Sequence, residues 1–163
     1  ESWVALRNWS VATGLAPLLE RGERLKDTAV WEIERGLNLS AMDVHRASVI
    51  RSDWFRTAAA LFDTYDALVL PSAQVWPFPV DIAYPTQIAG SSMDTYHRWM
   101  QVVIPASLLG LPALAVPAGF GAAGLPMGVQ IIGRRDSDAT ILGLGAAYHA
   151  ATGWPQRRPA LQA

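Results

Sequence analysis

The sequence predicts an α/β fold of about three strands packed with several helices. Three observations carry this prediction. The stretch 41–64 repeats apolar residues at helical spacing, and 67–70 is a short run apolar on both faces. Two further apolar runs, 112–117 and 127–133, are joined by a glycine-rich connection. Helical and strand-like patterns in one chain call for a sheet with helices laid against it.

From the amino terminus, 3–36 reads as short helices separated by Gly14, Pro17, Gly22 and Gly36. The polar stretch 20–27 is a solvated turn. Thr28 is expected to cap a helix running to about Arg35, with Gly36 stopping it in the C′ position. Ser40 followed by Asp43 forms a capping-box-like start for the long helix. Ala47, Ile50, Trp54, Ala58, Leu61, Phe62 and Tyr65 make a wide stripe expected to be buried. Arg51 lies close to that stripe and is expected to be paired there. The run 67–70 has the signature of a central strand covered on both sides, ended by Pro71.

The next stretch, 72–92, holds Pro77, Pro79 and Pro85 with Trp76, Phe78 and Tyr84. It is a long loop of the kind that forms or covers a site. Residues 93–109 read as one or two helices interrupted at Pro105, with Gly110 as a stop. The connection 118–126 is short, so the last two strands are expected to form an antiparallel hairpin. A final helix starts near Ser137, with Gly143, Ala146, Ala147 and Ala150 as its close-packing face. The tail from Trp154 reads as irregular, and there is no internal repeat.

Composition narrows the function. A length of 163 residues allows one domain or a large piece of one. Hydrophobic residues at 51% and charged residues at 17% exclude a disordered chain. Thirteen basic residues balance fourteen acidic ones, so no broad cationic field exists for nucleic acid. The absence of cysteine excludes disulfides, thiolate metal sites and a cysteine nucleophile. No apolar stretch reaches the ~18–20 residues of a membrane span. Seven Trp and a single lysine, Lys26, suggest faces that pack against a partner chain or the rest of a longer one. The opening Glu1-Ser2-Trp3-Val4 has neither an initiator Met nor a signal-peptide pattern, so an artificial or processed boundary is expected there.

Several residues invite a chemical role. Ser91 and Ser92 follow Gly90, with His97 nearby in sequence. Serine catalysis also needs a base within reach and oxyanion donors, so a polar loop feeding a helix is the favoured reading. His45, His97 and His149 lack metal-ligand spacing and read as surface or satisfied helix positions. Gly119, Gly121 and Gly124 lack the lysine and hydroxyl of a phosphate loop and sit between two strands, which favours a tight turn with close backbone approach. Gln130, in an apolar strand, must be hydrogen-bonded, either bracing backbone or lining a site. Asp66 and Arg51 read as buried-charge candidates in an ion pair or network, and Trp54 as core. Trp76 and Trp99 read as either pocket or packing. Ligands in α/β sheets gather at strand ends, which makes Ser72, Gln74 and Trp76 the candidate substrate-binding wall.

Residues 50–150 resemble the C-terminal half of the amidase signature family. Tyr65-Asp66-Ala67-Leu68-Val69-Leu70-Pro71 is similar to the family's YDxLxxP strand. Gly110-Leu111-Pro112-Ala113-Leu114-Ala115-Val116-Pro117-Ala118-Gly119 is similar to its GLPAxxxPAG segment. Gly124-Leu125-Pro126-Met127-Gly128-Val129-Gln130-Ile131-Ile132-Gly133 is similar to its GLPxGxQxxG strand, and Arg51 to an arginine often seen upstream. Three such motifs in order are specific in combination.

The resemblance implies the C-terminal part of a mixed, twisted sheet between helix layers. It also implies serine hydrolysis of carboxamides, or a related amide transfer. In the family a serine nucleophile is activated by a second serine in a cis peptide, which relays its proton to a lysine. Backbone N–H groups of a glycine- and serine-rich loop form the oxyanion hole. No Gly-Gly-Ser-Ser-Gly-Gly-like segment occurs here, and nothing around Lys26 matches the catalytic lysine's strand. No catalytic residue is therefore carried over, and no cofactor or metal is expected.

On this basis 1–163 is expected to be a C-terminal fragment of one amidase-like domain, inactive alone. Residues 1–40 would be peripheral helices, 41–150 the core helix and strand portion, and 151–163 an irregular tail. The expected partners are a small-molecule amide substrate and the N-terminal half of the same protein, with neither nucleic acid nor membrane, in a cytoplasmic setting. A homodimer through an exposed edge or apolar face is also expected of such a piece. The alternatives are a non-catalytic protein-interaction module on an amidase-like scaffold, or the amidase-like subunit of a tRNA-dependent amidotransferase.

Overall fold

The computed structural model describes residues 1–157, which fall into two compact units, Glu1–Ala58 and the remainder from Ala59. In the first unit, α1 (Ser2–Glu20) runs unbroken through Gly14 and Pro17, where several short helices were expected. Packing against α2 (Asp27–Leu37) overrides these local breakers, through a buried face that includes Asn8, Ala12 and Ala16. Gly36 likewise does not stop α2 but lies buried inside it. A Cβ there would sit 2.1 Å from the Asn8 carbonyl oxygen and 2.5 Å from the Ala12 Cβ, so the missing side chain is what lets the two helices touch. Thr28 is not the cap, since the helix begins after Lys26 with Asp27 in its first turn, where a carboxylate suits the helix dipole. The Arg7 Nε donates to the nearly buried Glu32 carboxylate at 2.9 Å across this helix pair.

The third helix, α3 (Ala41–Leu61), opens with the anticipated capping box. The Asp43 N–H donates to Ser40 Oγ at 3.2 Å, and the Ser40 N–H donates to Asp43 Oδ2 at 2.9 Å. Hydrogen bonds from the Ser40 hydroxyl and then its backbone N–H, helped by Arg46, hold the Asp43 carboxyl below its ordinary value. The wide buried stripe does not form: Ala47 and Ala58 are buried, Trp54 is half-buried, and Ile50 and Tyr65 are exposed. Arg51 and Asp66 are exposed rather than buried, and the acid that is buried is Glu32.

In the second unit β1 (Leu68–Pro71), β4 (Ala113–Phe120) and β5 (Pro126–Ile132) form an antiparallel sheet in the order β1-β5-β4. The strand expected at the centre is thus an edge, with Val69 58% exposed, and β5 is central. A run apolar on both faces does not itself say which strand is flanked. Pro71 is the last residue of β1 and ends it as expected, paired with Val129 on an edge strand that tolerates a residue without N–H. The β4–β5 hairpin forms as expected, with a bulge between Pro117 and Gly119 where Gly119 takes φ 133°.

Two short strands, β2 (Gln87–Ile88) and β3 (Ser91–Ser92), make a small hairpin within the long loop. A 3₁₀ helix at Arg98–Val103 leads into α4 (Ile104–Leu109), where Pro105 occupies the first turn and Gly110, at φ 63°, closes it. The last helix, α5 (Asp138–Thr152), packs on β4 through Gly145, where a Cβ would lie 2.2 Å from Leu114. Gly143, Ala146, Ala147 and Ala150 instead face solvent. The tail forms a 3₁₀ turn at Trp154–Gln156, and its end, 158–163, lies outside the described residues. Among the described residues no helix is long and apolar enough to cross a membrane.

Candidate functional site

The sheet register brings the site together. Leu70, Gln130 and Ala115 form one cross-strand row. Gln130 Nε2 donates to the Pro71 carbonyl at 2.9 Å and to the Val102 carbonyl at 3.2 Å, so the 3₁₀ helix is tied over this face. Of its two anticipated roles, Gln130 performs the bracing one. Two residues further along, on the same face and past the end of β1, the Ser72 N–H donates to the Gly128 carbonyl at 3.0 Å and Gly128 faces Pro117. A Cβ on Gly128 would meet Ser72 Oγ at 2.7 Å and the Val116 carbonyl oxygen at 3.0 Å. Glycine there keeps the Ser72 side chain and the two backbones close.

Above these rows lies a pocket of about 500 Å³. Ser72, Ala73, Val75, Trp76, Pro77 and Phe78 supply one wall from the segment after β1. Trp99 closes another, and Ala115, Val116, Pro117, Pro126, Met127 and Gly128 form the floor from the hairpin. Phe78 and Trp99 meet edge-to-face at 5.6 Å, Trp99 meets Tyr96 at 6.1 Å, and Tyr96 meets Tyr84 at 5.7 Å. This run of edge contacts fixes the aromatic wall. Trp76 is 51% exposed, and its ring lies over Gly121, where a Cβ would come within 2.9 Å of the indole. The close backbone approach anticipated for the glycine-rich turn is therefore made by Trp76.

The three sequence-named wall residues take different positions. Ser72 and Trp76 border the pocket. Gln74 instead clamps the backbone: its Nε2 donates to the Arg98 carbonyl at 3.0 Å, and its Oε1 accepts from the Val102 N–H at 2.9 Å. Phe78 and the floor residues Ala115, Val116, Pro117, Met127 and Gly128 were not singled out from sequence. The strand alternation that sets Ala115 and Pro117 on one face was legible, but which face would be roofed was not.

Among the described residues no wall position carries an ionisable side chain, and the wall's side-chain hydrogen-bonding groups are the Ser72 hydroxyl and the two indole N–H groups. The pocket can hold a ligand but has no base to activate a nucleophile. Ser91 and Ser92 stand exposed on β3, His97 is buried, and Lys26 is exposed in the first unit. Among the described residues no group of three or more His, Asp or Glu side chains converges as metal ligands would.

Comparison with known proteins follows the same lines. The family model described as Amidase matches residues 15–142. The acylamidase of Rhodococcus erythropolis is 33% identical over 142 residues, covering 86% of this chain and 29% of that protein. A glutamyl-tRNA(Gln) amidotransferase subunit from Dehalococcoides mccartyi is 37% identical over 102 residues, covering 61% of this chain and 19% of that protein. The chain thus spans less than a third of the length of these relatives. In fold it matches a bacterial aryl acylamidase of the amidase signature family, with a TM-score of 0.81 at 24% identity, over 97% of this chain and 36% of that one.

Proposed function

This chain belongs to the amidase family, and from that premise we propose that it forms the substrate-facing wall of an enzyme that hydrolyses a carboxamide C–N bond. The observation that carries the reading is the pocket beside the end of β1, bordered by Ser72 and Trp76, with Gln74 holding its roof in place. The absence of a Gly-Gly-Ser-Ser-Gly-Gly-like segment from the sequence supports assigning the reacting groups to residues outside these 163.

In the proposed reaction a serine hydroxyl adds to the amide carbonyl and its proton passes through the second serine to the lysine. The C–N bond breaks, and the nitrogen leaves as ammonia or amine carrying that proton. Water then cleaves the acyl-serine ester, releasing the carboxylic acid and restoring the hydroxyl. This chain's residues hold and orient the acyl part while that happens, a contribution that acts through positioning.

The test compares the natural full-length protein with the 163-residue chain, measuring ammonia released from simple amides. The full protein should turn them over and the chain alone should match buffer. Turnover by the chain alone, abolished by Ser91→Ala or Ser92→Ala, would overturn the assignment of the chemistry to other residues. The identity with an amidotransferase component supports a second reading, transfer of the released ammonia to an acyl acceptor. Ammonia consumed in step with a tRNA-bound acceptor would select it.

A further inference from the structure

We infer that Gln74 is a positioning residue of the pocket: its carboxamide is wedged into the backbone of 98–103 and keeps that segment in the 3₁₀ form that seats Trp99 in the wall. The inference deepens the hydrolase reading and rests on it for its kinetic consequence. A 3₁₀ run of six residues, Arg98–Val103, is longer than the ~3–4 that such helices ordinarily sustain, so something outside the segment must hold it.

The two ends of the Gln74 amide supply that hold. Its Nε2 donates to the Arg98 carbonyl at 3.0 Å, and its Oε1 accepts from the Val102 N–H at 2.9 Å. This carbonyl and this N–H stand four residues apart, and in an α-turn they would bond each other. The carboxamide stands between them instead, as side chains do where they enter a helical ladder. Val102 is also fixed on its other side. Its carbonyl accepts from Gln130 Nε2 at 3.2 Å, which refers the segment to the central strand β5. Without the Gln74 amide the two backbone groups lose this partner, and closing on each other is the direct way to replace it. Pro105, in the first turn of α4, has no N–H for the Gln101 carbonyl, so the closure is confined to 98–102 rather than extending α4. With Val102 as pivot, passing from ~3.0 to ~3.6 residues per turn and from ~2.0 to ~1.5 Å per residue turns Trp99 by about 60° and shifts it by about 1.5 Å. Such a turn takes the indole out of its 5.6 Å edge contact with Phe78, and both rings line the pocket.

The experiment uses the natural full-length protein, with ammonia release from benzamide as the assay and a crystal structure of Gln74→Met beside it. Methionine fills the length of glutamine without its amide donor and acceptor. Gln74→Met should raise KM about tenfold with kcat within about threefold of the parent, the split expected when substrate binding alone is lost. Its structure should show the Arg98 carbonyl accepting directly from the Val102 N–H, with Trp99 displaced. Gln74→Glu keeps an acceptor on the Val102 N–H and so blocks the closure, while its second oxygen turns to water at the exposed Arg98 end. It should recover most of the KM loss, which a role in packing alone would not produce. A parental KM in Gln74→Met, equal impairment in both variants, or an unchanged 98–103 segment in the structure overturns the inference. If Gln74→Met does not fold, Gln74→Glu decides alone: a near-parental KM sustains the wedge and a rise of about tenfold sinks it. If the parent releases no ammonia from benzamide or other simple amides, the hydrolase reading falls, and the structure of Gln74→Met still decides the wedge.

Discussion

The same substitution, glycine to alanine, should act with opposite sign at two positions of the first unit. Gly14 is exposed in α1 with nothing within 4 Å of the place a methyl would take, so Gly14→Ala adds only helix propensity, about 0.8–1 kcal/mol. Gly36→Ala gains the same propensity but places its methyl 2.1 Å from the Asn8 carbonyl oxygen and 2.7 Å from its carbon. An ordinary C···O approach is ~3.3–3.6 Å, so the helices must part by more than 1 Å. These atoms are backbone and cannot rotate away. Overpacking of this kind costs ~1–3 kcal/mol, and an obstacle of main chain belongs at the upper end. Subtracting the propensity gain leaves Gly36→Ala about 1–2 kcal/mol less stable than the parent. Urea unfolding followed by far-UV circular dichroism reads both variants against the parent. A Gly36→Ala protein as stable as the parent, or more so, would refute the contact argument, whatever Gly14→Ala does.

Two further outcomes follow from polar groups. Gln130→Leu strips the Pro71 and Val102 carbonyls of their amide donor and should cost about 1–3 kcal/mol in urea unfolding, against near-parent stability for an exposed control such as Gln101→Leu. Asp43 has a folded pKa below its unfolded value of about 3.9, so its contribution is complete at neutral pH and fades as pH falls through the folded value. Asp43→Asn should therefore be less stable than the parent at pH 7, and the gap should close as pH falls through the folded value; a gap that widens instead would contradict the capping arrangement.

What could be read from the residues alone was local. The Ser40–Asp43 cap, the β4–β5 hairpin and the bracing by Gln130 each depend on a few neighbouring side chains or on the cost of burying an amide. Glycine was ambiguous for a physical reason. At Gly110 it accepts a left-handed turn, whereas at Gly36 and Gly145 it makes room for a neighbouring element, and only the neighbour distinguishes the cases. The long stripe on α3 misled because helical spacing records amphipathicity without naming what covers it. In the pocket, strand-end position pointed to Ser72 and Trp76, but it could not separate them from Gln74, whose amide is taken up by the 3₁₀ helix backbone.

Pro117 carries a consequence for how the outer rim of β4 behaves. Its nitrogen has no hydrogen to offer, and its carbonyl already accepts from the Tyr148 hydroxyl at 2.9 Å. At that rung the missing N–H denies an incoming chain one half of a backbone pair, and the adjoining bulge bends the next residues out of line. A stray strand zipping along this margin from Ala113 would therefore stall after a few residues, a built-in brake on runaway self-association placed at the floor of the ligand pocket itself.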